Sequence, residues 1–437
     1  MTPGELPPGL QDLSGHRGPA GAVPGAGRAA GWARGAGIAG VAIGVVATGM
    51  AVERMTVHRG VRRRAQLALD AAGPYGSLRG TPGVAHADDG TELYYETDEP
   101  GAYDPPGGDG AGGPVAGPVD GRLAAGTDPG AAAGRPTVVF SHGYCLHQDV
   151  WHFQRAALRG AVRAVYWDHR SHGRSERGRT QRESGRPVSI DQLGRDLRAV
   201  LDAAVPEGPV VLVGHSMGGM TMMALAERYP RYVARRVAGA AFLGTSAGGL
   251  AEVTYGFPAP AVRVVRKVVP GVLRALGSQP GIVDRGRRLA GELYAGLIRR
   301  YAFGEPRDID PGVARFAERL IESVPLDVVA EFYPAFSGHE RLRALAAAFD
   351  GEAPVLLLAG ERDEVTPPEH TGRMAAVLPR AETVVLPGAG HLALLEHPRE
   401  VSDHLAALVT RSMRRHEPVP PPRGGPDGRR PDHGHRS

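Results

Sequence analysis

The chain has 437 residues, 51 basic against 47 acidic side chains, a net charge of +4 and a single cysteine, Cys145. That length buries a sizeable core in one large or two ordinary domains. The near balance of charge leaves no basic patch with interleaved aromatics for nucleic acid, and a lone cysteine excludes an internal disulfide or a cysteine-based zinc cluster.

Residues 1–34 are rich in Gly, Pro and Ala with no apolar period, and read as a disordered N-terminal segment. Residues 35–53 contain AGIAGVAIGVVATGMAV, 17 uncharged residues from 36 to 52, at the short edge of what spans a bilayer. Three readings stand for it: a membrane anchor, which is the working expectation; a signal peptide cleaved near Gly49-Met50-Ala51; and a Gly/Ala-rich helix packed on the domain. Three arginines precede the segment and five follow it closely (Arg54, Arg59, Arg62, Arg63, Arg64). Positive-inside counting then leaves an anchored domain on the cytoplasmic side, whereas a cleaved signal would make it secreted.

From residue 84 the pattern turns to strands. VAHADDGTELYYE has Asp89-Gly90 at a turn position between two short runs, a hairpin signal. Residues 101–134, with eleven glycines and five prolines, read as a disordered insertion. Short, nearly continuous apolar runs follow at 137–140, 162–167, 210–214, 237–244, 354–360 and 382–387, the pattern of strands buried on both faces. Helix-compatible segments lie between most of them. One is 189–205, with Ile190, Leu193, Leu197, Val200 and Leu201 on one face. Strand and helix in alternation predict a parallel sheet covered on both sides. Its core takes residues 84–248 and 346–410. The interval 249–345 holds most of the aromatics, among them Tyr301, Phe303, Phe316, Phe332 and Phe336, and reads as an inserted helical cap. Residues 411–437 read as a disordered tail; His433 and His435 in it suggest no real metal site.

The run VVLVGHSMGGM, from Val210 to Met220, sets a serine at the tip of a buried strand. A hydroxyl attacks a carbonyl only if a base takes its proton and the oxygen stands clear of the fold. A sharp strand-to-helix turn meets the second need, but brings backbone so close that only small residues fit two positions either side. Gly214 and Gly218 occupy those positions, with Gly219 next and His215 preceding the serine. The Met217 N–H would face a developing oxyanion at the helix N-terminus. A base and an orienting acid should follow at the carboxyl ends of later strands. Asp363, in GERDEVTPP, and His391, in GAGHLALLEHP, stand there. Glu364 rivals Asp363; His397 and His370 rival His391, lack its glycine loop and are expected to be solvated. After the earlier strand, His142-Gly143 makes a tight turn that offers the Tyr144 N–H as a second oxyanion donor. Cys145 beside it reads as a small buried hydrophobe, and Asp168 in WDHRSHGRS as structural.

These pieces, in this order over residues 84–410, resemble the α/β-hydrolase-fold family. The resemblance implies an eight-stranded, mostly parallel sheet with a helical cap between strands six and seven, and a triad of Ser216, Asp363 and His391. It implies a serine hydrolase of the esterase or lipase kind, acting on a small-molecule ester without cofactor or metal. Relatives with aspartate as nucleophile are excluded by Ser216. Acyl transfer, cofactor-free perhydrolysis and a non-catalytic binding role are the alternatives.

Overall fold

Two antiparallel strands, joined through the Asp89-Gly90 turn, begin the sheet. They are β1 (Thr81–His86) and β2 (Glu92–Asp98), in register from Thr81 opposite Thr97 to His86 opposite Glu92. The turn closes on itself, the Ala87 N–H donating to the Thr91 carbonyl and the Gly90 N–H to the Ala87 carbonyl, both at 2.9 Å. In this computed structural model the described residues are 75–101, 135–250, 253 and 299–416. All of them belong to one unit, Gly60–Ser437, distinct from Met1–Arg59.

The remaining strands are β3 (Thr137–Ser141), β4 (Ala164–Trp167), β5 (Val210–His215), β6 (Val237–Leu243), β7 (Val355–Gly360) and β8 (Glu382–Leu386). The sheet order is β1-β2-β4-β3-β5-β6-β7-β8, antiparallel as far as β4 and parallel beyond it. Successive side chains of a strand point to opposite faces, and here each face has its own core. Val138, Phe140, Val211, Val213, Leu356 and Leu358 pack on one side. Val139, Leu212, Phe242 and Leu357 pack on the other. That two-sided burial is why the strand sequences are apolar throughout rather than alternating.

The helices are α1 (His152–Leu158), α2 (Arg179–Ser184), α3 (Ile190–Ala204), α4 (Met217–Arg228), α5 (Pro230–Arg236), α6 (Pro311–Glu322), α7 (Leu326–Phe332), α8 (Leu342–Phe349), α9 (Pro368–Val377), α10 (Ala393–Glu396) and α11 (Pro398–His416). The Ser189 hydroxyl caps α3 by accepting from the Gln192 N–H at 3.2 Å. The face that its period predicts, Ile190, Leu193, Leu197, Val200 and Leu201, is buried throughout. Between β6 and β7, α6 and α7 supply helices compatible with a cap. Val324, Val328 and Phe332 pack there against Met217 and Met220 at the start of α4.

The expected membrane anchor is corrected. Among the described residues no helix is long and apolar enough to cross a membrane. The apolar segment 36–52 itself lies outside the described residues. At 1.5 Å per residue its 17 positions give about 25 Å, short of a hydrocarbon core of about 30 Å, and four of them are glycine, the poorest helix former after proline. The expectations of disorder at 1–34, 101–134 and 411–437 also fall outside the described residues, except at Gly101 and at 411–416, where the expected tail instead continues helix α11 (Pro398–His416).

Candidate active site

The carboxyl ends of β3, β5, β6, β7 and β8 gather the residues singled out in the sequence. Ser216 follows β5 directly and takes φ +51° and ψ −118°, a conformation that costs a non-glycine residue of order 1–3 kcal/mol. The surroundings hold it there. Its N–H donates to the Leu243 carbonyl at 2.9 Å, and its own carbonyl accepts from the Thr245 hydroxyl at 2.7 Å and from the Gly219 N–H at 3.0 Å. The turn is as tight as the glycines imply. A Cβ on Gly218 would lie 2.1 Å from the Ser141 carbonyl oxygen, and one on Gly214 would lie 2.6 Å from the Gly218 carbonyl carbon. A Cβ on Gly219 would lie 2.7 Å from the Thr245 side chain. The 141–144 loop therefore runs directly over the first turn of α4, where Met217 is the first helical residue.

Asp363 lies three residues past β7 and is buried; His391 follows β8 and is nearly so. Their side chains join, His391 Nδ1 to Asp363 Oδ2, at 2.9 Å. Asp363 Oδ1 accepts from the Val365 and Thr366 N–H groups, each at 2.8 Å, and Oδ2 accepts from the Thr366 hydroxyl at 2.8 Å. Burial by itself would raise the Asp363 pKa, but His391 and the Thr366 donors outweigh it and hold the carboxyl below its ordinary value. The carboxylate therefore stays ionised beside the imidazole. Thr366 also lies 3.3 Å from His391 Nδ1. The link from His391 to the serine turn runs through the neighbouring His215, whose Nε2–H donates to the His391 carbonyl at 2.9 Å.

The rival residues go elsewhere. Glu364 pairs with Arg300 at 2.7 Å, and His397 with Glu400 at 3.2 Å. His370 departs from expectation. It is buried, 2.7 Å from the Ser246 hydroxyl, because it plugs the loop after β6 rather than facing solvent. The Cys145 thiol is pushed up to about 12 by burial, which removes it as a nucleophile. Asp168 is structural in its contacts, accepting from the Gln148 N–H at 2.7 Å and the Arg174 N–H at 2.9 Å.

Tyr144 stands between the serine turn and α7. Its hydroxyl donates to the Val329 carbonyl, and its ring stacks 6.3 Å from Phe332 and meets Phe336 edge-on at 5.1 Å. Arg177 fastens the same helix to the loop after β4 through Asp327 at 2.7 Å and Glu331 at 2.5 Å. Thr366, Thr245 and Glu396 were not singled out from the sequence. Glu396 receives the Gly390 N–H at 2.7 Å and the Gly304 N–H at 2.9 Å, clipping the His391 loop to Gly304 within the cap segment. The signal for Thr366 was available: a threonine three residues past an aspartate in DEVT can close a turn on that carboxylate.

Residues 136–398 match the alpha/beta hydrolase fold family. A dihydrolipoyllysine-residue acetyltransferase component of an acetoin cleaving system from Pseudomonas putida is 25% identical over 292 residues, 67% of this chain and 68% of that protein. An sn-1-specific diacylglycerol lipase from Mus musculus is 25% identical over 277 residues, 63% of this chain and 81% of the relative. A solved thermophilic esterase from Thermogutta terrifontis superposes with a TM-score of 0.52 at 22% identity, covering 77% of this chain and 98% of that one. With more than half its length matched and the expected eight-stranded, mostly parallel sheet in place, the chain belongs to the α/β-hydrolase fold family, as an esterase- and lipase-like hydrolase.

Proposed function

We propose that the protein hydrolyses a carboxylic ester bearing an apolar acyl or aryl group, through an acyl-enzyme on Ser216. In this reading His391 Nε2 takes the hydroxyl proton as Ser216 Oγ bonds to the ester carbon, and the carbonyl electrons move to oxygen. The Met217 and Tyr144 N–H groups hold that oxyanion, and Asp363 keeps the imidazole oriented through Nδ1. Collapse expels the alcohol with the proton from His391; water then repeats the sequence and frees the acid. The observation that carries the reading is the strained Ser216 backbone at the tip of β5, on the same sheet edge as the hydrogen-bonded His391–Asp363 pair. Strain of this kind persists where surrounding structure over-determines it, and it clusters at active sites. The apolar group is supported by Met217, Phe332, Tyr144 and Phe336 packing together beside the serine turn.

A p-nitrophenyl ester series from acetate to palmitate, assayed on the full chain, tests this. Hydrolysis is expected to peak at one chain length and to fall by at least about 10⁴-fold in Ser216→Ala. Equal rates in wild type and variant would sink it. Acyl transfer is the second reading, favoured by the acetyltransferase name of the Pseudomonas putida relative. Ester products formed in preference to acid when an alcohol competes with water would support it.

A further inference from the structure

One residue beside Ser216 touches two of the loops that converge on the serine turn. His215 ends β5, so its backbone is part of the serine turn, and its ring is buried. On one edge its Nε2–H donates to the His391 carbonyl at 2.9 Å, with the two rings 4.9 Å apart and inclined by 50°. On the other edge Nδ1 lies against the 141–144 loop, so close that a Cβ on Gly143 would come within 2.8 Å of it. Only glycine leaves room there for the ring. Burial, and then the proximity of His391, lower the His215 pKa to about 3. The ring is neutral at ordinary pH, with its proton on Nε2 and a lone pair on Nδ1. That Nδ1 has no partner among the described residues. A residue that merely filled this space could be apolar and would bury no unbonded nitrogen.

We propose that His215 is a positioning residue for proton transfer: its Nε2–H holds the His391 backbone in register with Ser216, while its opposite edge sets the spacing of the 141–144 loop. The inference rests on the proposed roles of Ser216 and His391. Asp363 fixes only the Nδ1 end of the His391 ring, and a ring held at one atom can still swing with its backbone. Anchoring the carbonyl of the same residue removes that freedom. A displacement of about 1 Å at such a site costs on the order of 10²-fold in rate.

Two variants of equal polarity separate positioning from simple support. In His215→Gln the amide nitrogen reaches the place of imidazole Nε2 and still donates to the His391 carbonyl; in His215→Asn it falls near the place of Nδ1 and does not. With p-nitrophenyl butyrate and the full chain, kcat is expected to fall about 100-fold in His215→Asn with KM within about twofold. His215→Gln should recover about tenfold or more of that loss. Amide hydrogen exchange over residues 388–396, which needs no turnover, should quicken in the Asn variant and stay near wild type in the Gln variant. Equal kcat and equal exchange in the two variants overturn the proposal. A wild-type chain that turns over no ester overturns the hydrolase reading instead, and the exchange comparison still decides whether His215 holds the loop.

Discussion

At the scale of single residues, the orienting role proposed for Asp363 gives the sharpest prediction after Ser216. Asp363→Asn keeps a carbonyl oxygen for the Val365 and Thr366 N–H groups, yet turns an NH₂ toward His391 Nδ1 where the carboxylate oxygen now lies at 2.9 Å. The imidazole is then pushed to the wrong tautomer, and kcat should drop by about 10⁴-fold with the fold intact. Steady-state kinetics beside a circular dichroism melt checks both halves, and an Asn variant within tenfold of wild type would remove Asp363 from the mechanism. That Asp363 and His391 meet at one sheet edge was legible in the sequence, because each sits in a loop past a strand. The Thr366 contact had its local signal in DEVT, whereas the contact of His215 with the His391 carbonyl had none, since it depends on how two loops 176 positions apart meet. His370 shows the same limit: the partner that buries it, Ser246, is 124 positions away.

At the scale of elements, the serine turn and α9 make opposite predictions for one substitution. Gly218→Ala would drive a methyl to 2.1 Å from the backbone oxygen of Ser141, where no side chain can yield. Either β3 or α4 must shift, so a loss of several degrees in Tm is expected along with loss of ester hydrolysis. Gly372 lies inside α9 with nothing within 4 Å of an added Cβ, and Gly372→Ala should stabilise by about 0.5–1 kcal/mol through helix propensity alone. Thermal melts of the two variants decide it; a harmless Gly218→Ala would mean the turn is looser than described. The turn was readable beforehand because its steric demand is written as glycine at fixed spacing. Strand positions were readable because burial on both faces leaves unbroken apolar runs, although β4 begins at Ala164 rather than at residue 162. The pairing order of β4, β3 and β5 has no such local signature, and came only with the structure.

At the scale of the whole molecule, burial of histidine makes stability depend on pH. His142, His169, His172, His215 and His339 are all buried. Burial first, and neighbouring charge second, lowers His169 and His215 to about 3 and His172 and His339 to about 4, with His142 also held well below its ordinary 6.5. An unfolded chain takes up these protons near pH 6.5, while the folded chain refuses them until far lower. The contribution to stability is thus complete above about pH 6.5 and is lost as pH falls toward the folded values, by up to about 1.4 kcal/mol per pH unit for each residue. Tm should be level between pH 8 and 7 and drop by more than about 10 °C from pH 6.5 to 4.5. A level Tm across that lower range would show the histidines to be solvated in solution.

The central claim is that Ser216 is the nucleophile, activated by His391. Mass spectrometry of peptides after reaction with a fluorophosphonate measures that directly. A single adduct on the peptide containing Ser216, absent from Ser216→Ala and slowed by about 10³-fold or more in His391→Ala, is the predicted result. An adduct on another residue, or ester hydrolysis by a chain that Ser216→Ala leaves active, would contradict it.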